Sequence, residues 1–368
     1  MELVIISILV CLVYWIQHMY FKRHWRQELQ VGLSFQKRGV DAGEACSLEE
    51  VVTNGKRMPL PTLQVKFRTD ASFRFAEDKN AVTTDYYYRR DLFSAGGRKR
   101  VTRCLKFRAM QRGYFQIPEM DVLVKNFFLT AQYSYRQPNE TALYVYPYKR
   151  DTRQFDLLYH QMMGEIIAKQ RMEEDPFAFR GIREYRPTDP MHRINWKSSA
   201  RNGSLLVNHF ESTTTQTVGI LLDGHTQSVY AQRQMQELGI SVASSIAGRL
   251  LRAGIPVALY SNARDILTGE PVRTESGSHR SHMETIDREL ARIDLKKDML
   301  PFDQLVHDTI ESEGSGMCYL MITSDDRQVL RREYLRQKNN AVEIFGIILC
   351  ETQEQWEPLE GWYPWEVD

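Results

Sequence analysis

Asp223, His225 and Asp325 are the side chains best placed to do chemistry. Asp223 closes the apolar run Thr217–Asp223 and opens Asp223-Gly224-His225-Thr226-Gln227-Ser228; Asp325 follows the run Met317–Thr323 within Thr323-Ser324-Asp325-Asp326. Carboxylates at the C-terminal ends of parallel strands face the crevice where such sheets take ligands. Oxygen ligands there suit a divalent cation, and a carboxylate beside an imidazole suits acid–base hydrolysis. Neither chemistry is complete: magnesium disfavours an imidazole ligand, and no nucleophile stands next to a base held by a third group. The chain carries no phosphate-binding loop, no nucleophile elbow and no HExxH zinc motif. His279 and His282 lie in a stretch read as an exposed loop.

A second cluster lies mid-chain: Arg183, Arg186, Asp189, Arg193, Trp196, Lys197 and Arg201. Pro187 and Pro190 exclude a continuous helix across 187–190, whereas Asp189-Pro190 predicts an N-cap with proline at the first helical position. The helix then runs to Asn202-Gly203, a left-handed stop. Four-residue spacing places Arg193, Lys197 and Arg201 on one stripe, and Met191, Ile194 and Trp196 are candidates for burial. The cluster serves either an acidic partner or an internal ion-pair network. In the second case Arg186 and Asp189, beside the stiff prolines, are the structural pair, and Arg201 is the exposed cation.

The run Arg183-Glu184-Tyr185-Arg186-Pro187-Thr188-Asp189-Pro190, continued by Arg193-Ile194-Asn195-Trp196-Lys197 and Ser199-Ala200-Arg201, resembles the signature of the bacterial "domain of unknown function 58" family. The resemblance implies a membrane-anchored protein with a von Willebrand factor A-like portion, commonly encoded beside MoxR-type AAA+ ATPases. It also implies where a metal would sit. The adhesion site of von Willebrand A domains places Asp-x-Ser-x-Ser after the first strand and an Asp after a later one. Asp223 and Asp325 match that pattern, His225 and Gln227 replace both serines, and Ser228 is one position out of register. Asp223, Ser228 and Asp325 therefore form a degenerate metal set, and no cofactor is expected.

These groups must be held by a chain of 368 residues whose 48 basic and 47 acidic residues nearly cancel, which gives no global pull toward nucleic acid. The run Glu2–Phe21 is apolar enough to cross a bilayer, with Tyr14, Trp15, Tyr20 and Trp25 as interfacial aromatics. Lys22, Arg23 and Arg26 flank its C-terminal end, so the positive-inside rule leaves the bulk of the chain in the cytoplasm of a single-pass membrane protein. Five scattered cysteines suggest neither a disulfide frame nor zinc.

Four segments are expected: a membrane helix with its basic flank (1–27), an immunoglobulin-like β-sandwich (28–150), a helical connector with the signature (151–211), and a von Willebrand factor A-like α/β domain with an aromatic tail (212–368). Short alternating runs such as Arg100–Phe107, separated by Asn54-Gly55, Gly96-Gly97 and Gln137-Pro138-Asn139, predict the sandwich. Nine basic residues between 89 and 112, against Asp91 alone, form either a patch for anionic lipid or a solvated hairpin face. Tyr86-Tyr87-Tyr88 is read as strand core. After residue 212, near-continuous apolar strands alternating with helices predict a doubly wound parallel sheet. The function expected is that of a non-catalytic, membrane-tethered adaptor whose partner is the AAA+ ATPase the resemblance implies. The alternative is a metal-dependent hydrolase or ligand-binding A domain using Asp223, His225 and Asp325.

Overall fold

A computed structural model describes residues 2–76, 81–83, 86–172, 179–186, 191, 194–210, 217–226, 232–351 and 358–367. They form two compact units, Met1–Tyr148 and Lys149–Asp368.

The first unit begins with helix α1 (Glu2–His24), a run without proline or glycine. Its stretch Leu3–His24 is long and apolar enough to cross a membrane, matching the roughly 20 residues a bilayer core requires. The side chains from Leu3 to Ile16 are exposed, so it is not the core helix of a soluble unit.

Ten strands follow: β1 (Leu29–Phe35), β2 (Gly39–Asp41), β3 (Ala45–Asn54), β4 (Leu60–Asp70), β5 (Phe73–Phe75), β6 (Ala81–Thr83), β7 (Tyr86–Ala95), β8 (Lys99–Ala109), β9 (Gly113–Lys125) and β10 (Gln132–Tyr146). One sheet has the order β1-β3-β8-β5 and the other β2-β10-β9-β4-β7-β6. Alternation turns one face of each sheet inward. Leu48, Val52, Leu105 and Phe107 of the first sheet thus share a core with Leu63, Val65, Val122, Val124 and Leu143 of the second. The result is a β-sandwich.

Three local readings are corrected here. Gln137-Pro138-Asn139 is no turn: it lies inside β10, where the register against β9 shifts between Pro138 and Thr141. A proline has no N–H to give a ladder, and a bulge is where a strand tolerates one. Of Tyr86-Tyr87-Tyr88, only Tyr87 is buried, because successive side chains alternate faces. The basic 89–112 stretch is neither one patch nor one hairpin face. β7 and β8 pair with different neighbours in opposite sheets, and Arg89 turns into the interior onto Asp91.

The second unit contains α2 (Arg153–Met172), β11 (Phe179–Glu184), α3 (Trp196–Asn202), β12 (Leu206–Phe210), β13 (Val218–Leu222), α4 (Gln232–Arg252), β14 (Val257–Asp265), β15 (Pro271–Gly277), α5 (Arg280–Arg292), β16 (Ile293–Asp294), α6 (Phe302–Glu313), β17 (Cys318–Thr323), α7 (Gln328–Asn339), β18 (Glu343–Glu351) and β19 (Trp362–Val367). Its main sheet has the order β15-β14-β13-β17-β18-β19, with β16 pairing β14. The ladders from β14 through β19 are parallel, while β15 and β16 run antiparallel at one side. β13 and β17 are buried along their whole length, which is why they read as unbroken apolar runs.

Helices cover both faces of this sheet. Met235 and Ile246 of α4, Ile286 and Leu290 of α5, and Phe155 and Met162 of α2 pack on one side. Val306 and Ile310 of α6 and Leu330 and Tyr334 of α7 pack on the other. The helix expected as part of a separate connector at 151–211 thus belongs to this core. It is held there by Arg249, whose guanidinium lies 4.4 Å from the Phe155 ring centroid and 2.8 Å from Asp151. The aromatic tail folds back as β19, with Trp362 and Trp365 buried. His282 is not a free loop residue either: from α5 its Nε2 lies 2.8 Å from the Val257 carbonyl.

Candidate functional site

β13 and β17 are adjacent and parallel, in register from Val218 opposite Cys318 to Leu222 opposite Ile322. Asp223 and Asp325 therefore leave the same edge of the sheet, as their positions in the sequence predicted. Both are buried, at 5% and 1% exposure.

Each carboxylate is already engaged. Asp223 Oδ1 accepts from the His225 N–H at 2.9 Å and from Asn262 Nδ2 at 2.8 Å; its Oδ2 accepts from Thr323 Oγ1 at 2.8 Å. Thr323 Oγ1 in turn accepts the Asp325 N–H at 2.8 Å. Asp325 takes the Arg327 backbone N–H at 2.9 Å on one oxygen and Arg327 Nε at 2.6 Å on the other. Asn262 closes the network, accepting the Gly224 N–H at 2.8 Å. Burial pushes the Asp223 carboxyl up to about 6 against these donors, which favour the ionised form.

The network borders a cavity of about 550 Å³ lined by Asp223, His225, Gln232, Gln236, Lys297, Asp298, Phe302 and Arg327, among others. His225 is exposed and touches Asp223 through its backbone. Ser228, named with the degenerate metal set, lies outside the described residues. The donors do not fit magnesium. A guanidinium occupies Asp325 where a cation would bind, and both Asp223 oxygens are spent on neutral donors. No group of three potential metal-ligating side chains occurs among the described residues. No metal step follows from this geometry.

Asn262 is the member that the sequence reading missed. It lies on β14, which runs from Val257 to Asp265. The polar pair Ser261-Asn262 inside a strand buried at both residues was the available signal.

The signature region departs from its expected form. Asp189, Pro190 and Arg193 lie outside the described residues, and α3 begins only at Trp196, with Asn195 as its N-cap. Asn195 Oδ1 accepts the Ser198 N–H at 3.0 Å, and Asn195 Nδ2 reaches Asn208 on β12 at 2.7 Å. Ile194 bridges Val207, so pairing with β12 sets where the helix starts. The stop at Gly203, φ +69°, is as expected.

Lys197 and Arg201 alone share the helix as an exposed basic pair. Met191 (67%) and Trp196 (64%) are exposed instead of buried, whereas Ile194 is buried. Arg183 lies on β11, its Nη1 3.1 Å from the Glu184 carbonyl. Arg186, expected to be partly buried as a structural group, is exposed.

Residues 181–342 match the family model described as protein of unknown function DUF58. The uncharacterized protein YeaD of Bacillus subtilis (strain 168) is 26% identical over 147 residues, covering 39% of this chain and 34% of that protein. The chain thus spans about a third of that relative. Among solved structures, the CARDB domain of a Pyrococcus furiosus protein matches 32% of this chain and 93% of its own at 12% identity and TM-score 0.21. A type II cohesin domain from the cellulosome of Acetivibrio cellulolyticus covers 31% and 94% at 6% identity and TM-score 0.22. At these scores neither likeness bears on what the chain does.

Proposed function

Residues 181–342 of this chain carry the DUF58 family domain, and on that premise we propose that the protein is a membrane-tethered adaptor whose cytoplasmic body binds a protein partner. Helix α1 is the tether. The second unit is a von Willebrand factor A-like domain in which binding replaces catalysis, and the partner that the family resemblance implies is a MoxR-type AAA+ ATPase. The observation that carries this reading is the surface of α3. Trp196, Lys197 and Arg201 stand exposed on a short helix capped at both ends. Tryptophan and arginine are among the residues enriched at interface hot spots. The strand-end carboxylates support the same reading, since Asp223 and Asp325 are spent on Asn262, Thr323 and Arg327 and offer no open ligand set.

Pull-down of the full chain from membranes, with and without ATP, tests the proposal. A stoichiometric ATPase that is lost in Trp196→Ala and Arg201→Glu, while both variants melt within about 0.5 kcal/mol of the parent, is the expected result. Charge at such a rim acts on association rate and salt dependence. Retention of the partner in both variants, or capture of no ATPase at all, overturns the reading.

A further inference from the structure

The loop joining β9 to β10 ends in three exposed apolar residues, Phe127 (43%), Phe128 (54%) and Leu129 (59%). It lies against α1. The Phe127 ring meets Phe21 edge-on with centroids 6.0 Å apart, and Phe128 is 5.8 Å from Tyr14. The Tyr14 hydroxyl is 3.0 Å from Thr130 Oγ1. At the base of the loop, Tyr133 stacks on Trp25 at 5.7 Å.

Asn126 braces the loop from within. Asn126 is fully buried; its Oδ1 accepts the N–H groups of Thr130 at 2.9 Å and Ala131 at 3.2 Å, and its Nδ2 reaches Thr130 Oγ1 at 2.9 Å. The Asn126 carbonyl accepts the Leu129 N–H at 3.0 Å. The turn therefore faces outward with apolar side chains while the N–H groups of Leu129, Thr130 and Ala131 are spent inside.

We propose that Phe127-Phe128-Leu129 is a membrane wedge that enters the bilayer beside α1 and fixes the β-sandwich against the membrane surface; this rests on reading α1 as a membrane span. Tyr14 precedes Lys22 by eight residues, about 12 Å along a helix rising 1.5 Å per residue. With Lys22 and Arg23 at the headgroups, Phe128 beside Tyr14 lies among acyl chains. Lys125, at the end of β9, meets the headgroup layer. The bilayer is the occupant because the loop's apolar surface is continuous with the exposed apolar surface of α1.

The test uses the full chain in proteoliposomes of phosphatidylcholine and phosphatidylglycerol containing acyl-chain doxyl lipid. A nitrobenzoxadiazole label is placed at Leu129→Cys in a Cys11→Ser, Cys104→Ser background; the other cysteines are buried. Native Cys11 on α1 and Glu140→Cys, exposed far along β10, are labelled as references. The expected result is that label at 129 is quenched as strongly as label at Cys11, and label at 140 is not. Quenching at Cys11 but not at 129 overturns the wedge and leaves the span standing. No quenching at either site overturns both. Shielding at 129 that appears only at high protein-to-lipid ratio marks a second copy of the chain as the occupant and also overturns the wedge.

Discussion

Arg327 closes back on Asp325, two residues earlier, with its backbone N–H on one carboxylate oxygen and its Nε on the other. A protein cation thus stands at the strand end where the resemblance to A-type domains would place a metal. The exposed guanidinium is worth little as an isolated ion pair, but it satisfies a carboxylate that is otherwise buried.

Magnesium should therefore leave stability unchanged. A ligand present at a hundred times its dissociation constant adds about 2.7 kcal/mol, several degrees in a domain of this size. The detergent-solubilised chain is expected to melt within about a degree in millimolar magnesium or in chelator. A magnesium-dependent rise that vanishes in Asp223→Ala would sink the degenerate-site reading.

Thr323 links the two carboxylates, donating to Asp223 and accepting from the Asp325 N–H. Thr323→Val keeps the shape and removes both bonds. Leaving buried polar groups unpaired costs on the order of 1–3 kcal/mol, so melting should fall by several degrees, while Thr323→Ser stays near the parent. Equal melting of the Val and Ser variants would show that the network contributes nothing.

Glu50 lies in the sandwich core at 0% exposure, beside Asp91, which Arg89 and Arg103 hold at 2.5 and 2.9 Å. Neither Glu50 oxygen receives a hydrogen bond. Burial, then the charge of Asp91, pushes its pKa from 4.5 up to about 8. A folded value above the unfolded one gives stability that is full below about pH 4.5 and lost as pH rises through about 8. Melting temperature should fall by several degrees from pH 6 to pH 9. Glu50→Gln, which mimics the neutral acid, should flatten that slope and melt above the parent at pH 9. A glutamine variant that keeps the slope would move its origin elsewhere.

Topology is read from Lys22 and Arg23 in the last turn of α1. Cys104 is exposed on β8, so in a Cys11→Ser background a membrane-impermeant maleimide reports its side. Modification is expected only after lysis. Labelling of intact cells would put the body outside and overturn the cytoplasmic reading.

Elements fixed by local chemistry were legible in the sequence. α1 follows from an apolar run with a basic flank. β13, β17 and β18 follow from apolar strands that parallel pairing buries on both faces. The end of α3 at Gly203 needs only a residue that tolerates a left-handed φ. Asp223 and Asp325 could be placed at one edge because strand direction alone carries both there.

What the sequence could not decide depends on partners distant in the chain. Asn262 reaches Asp223 across 39 residues and Thr323 across 100, so only the packed sheet shows that the carboxylates serve one another. The start of α3 was set by the pairing of Ile194 with Val207 and by the Asn195 cap. Alternation alone groups Tyr87, Arg89, Asp91 and Phe93 on one face of β7. Which face turns inward was settled by the opposing sheet, whose buried Glu50 and partly exposed Arg103 complete a charge cluster that no residue of β7 could form alone.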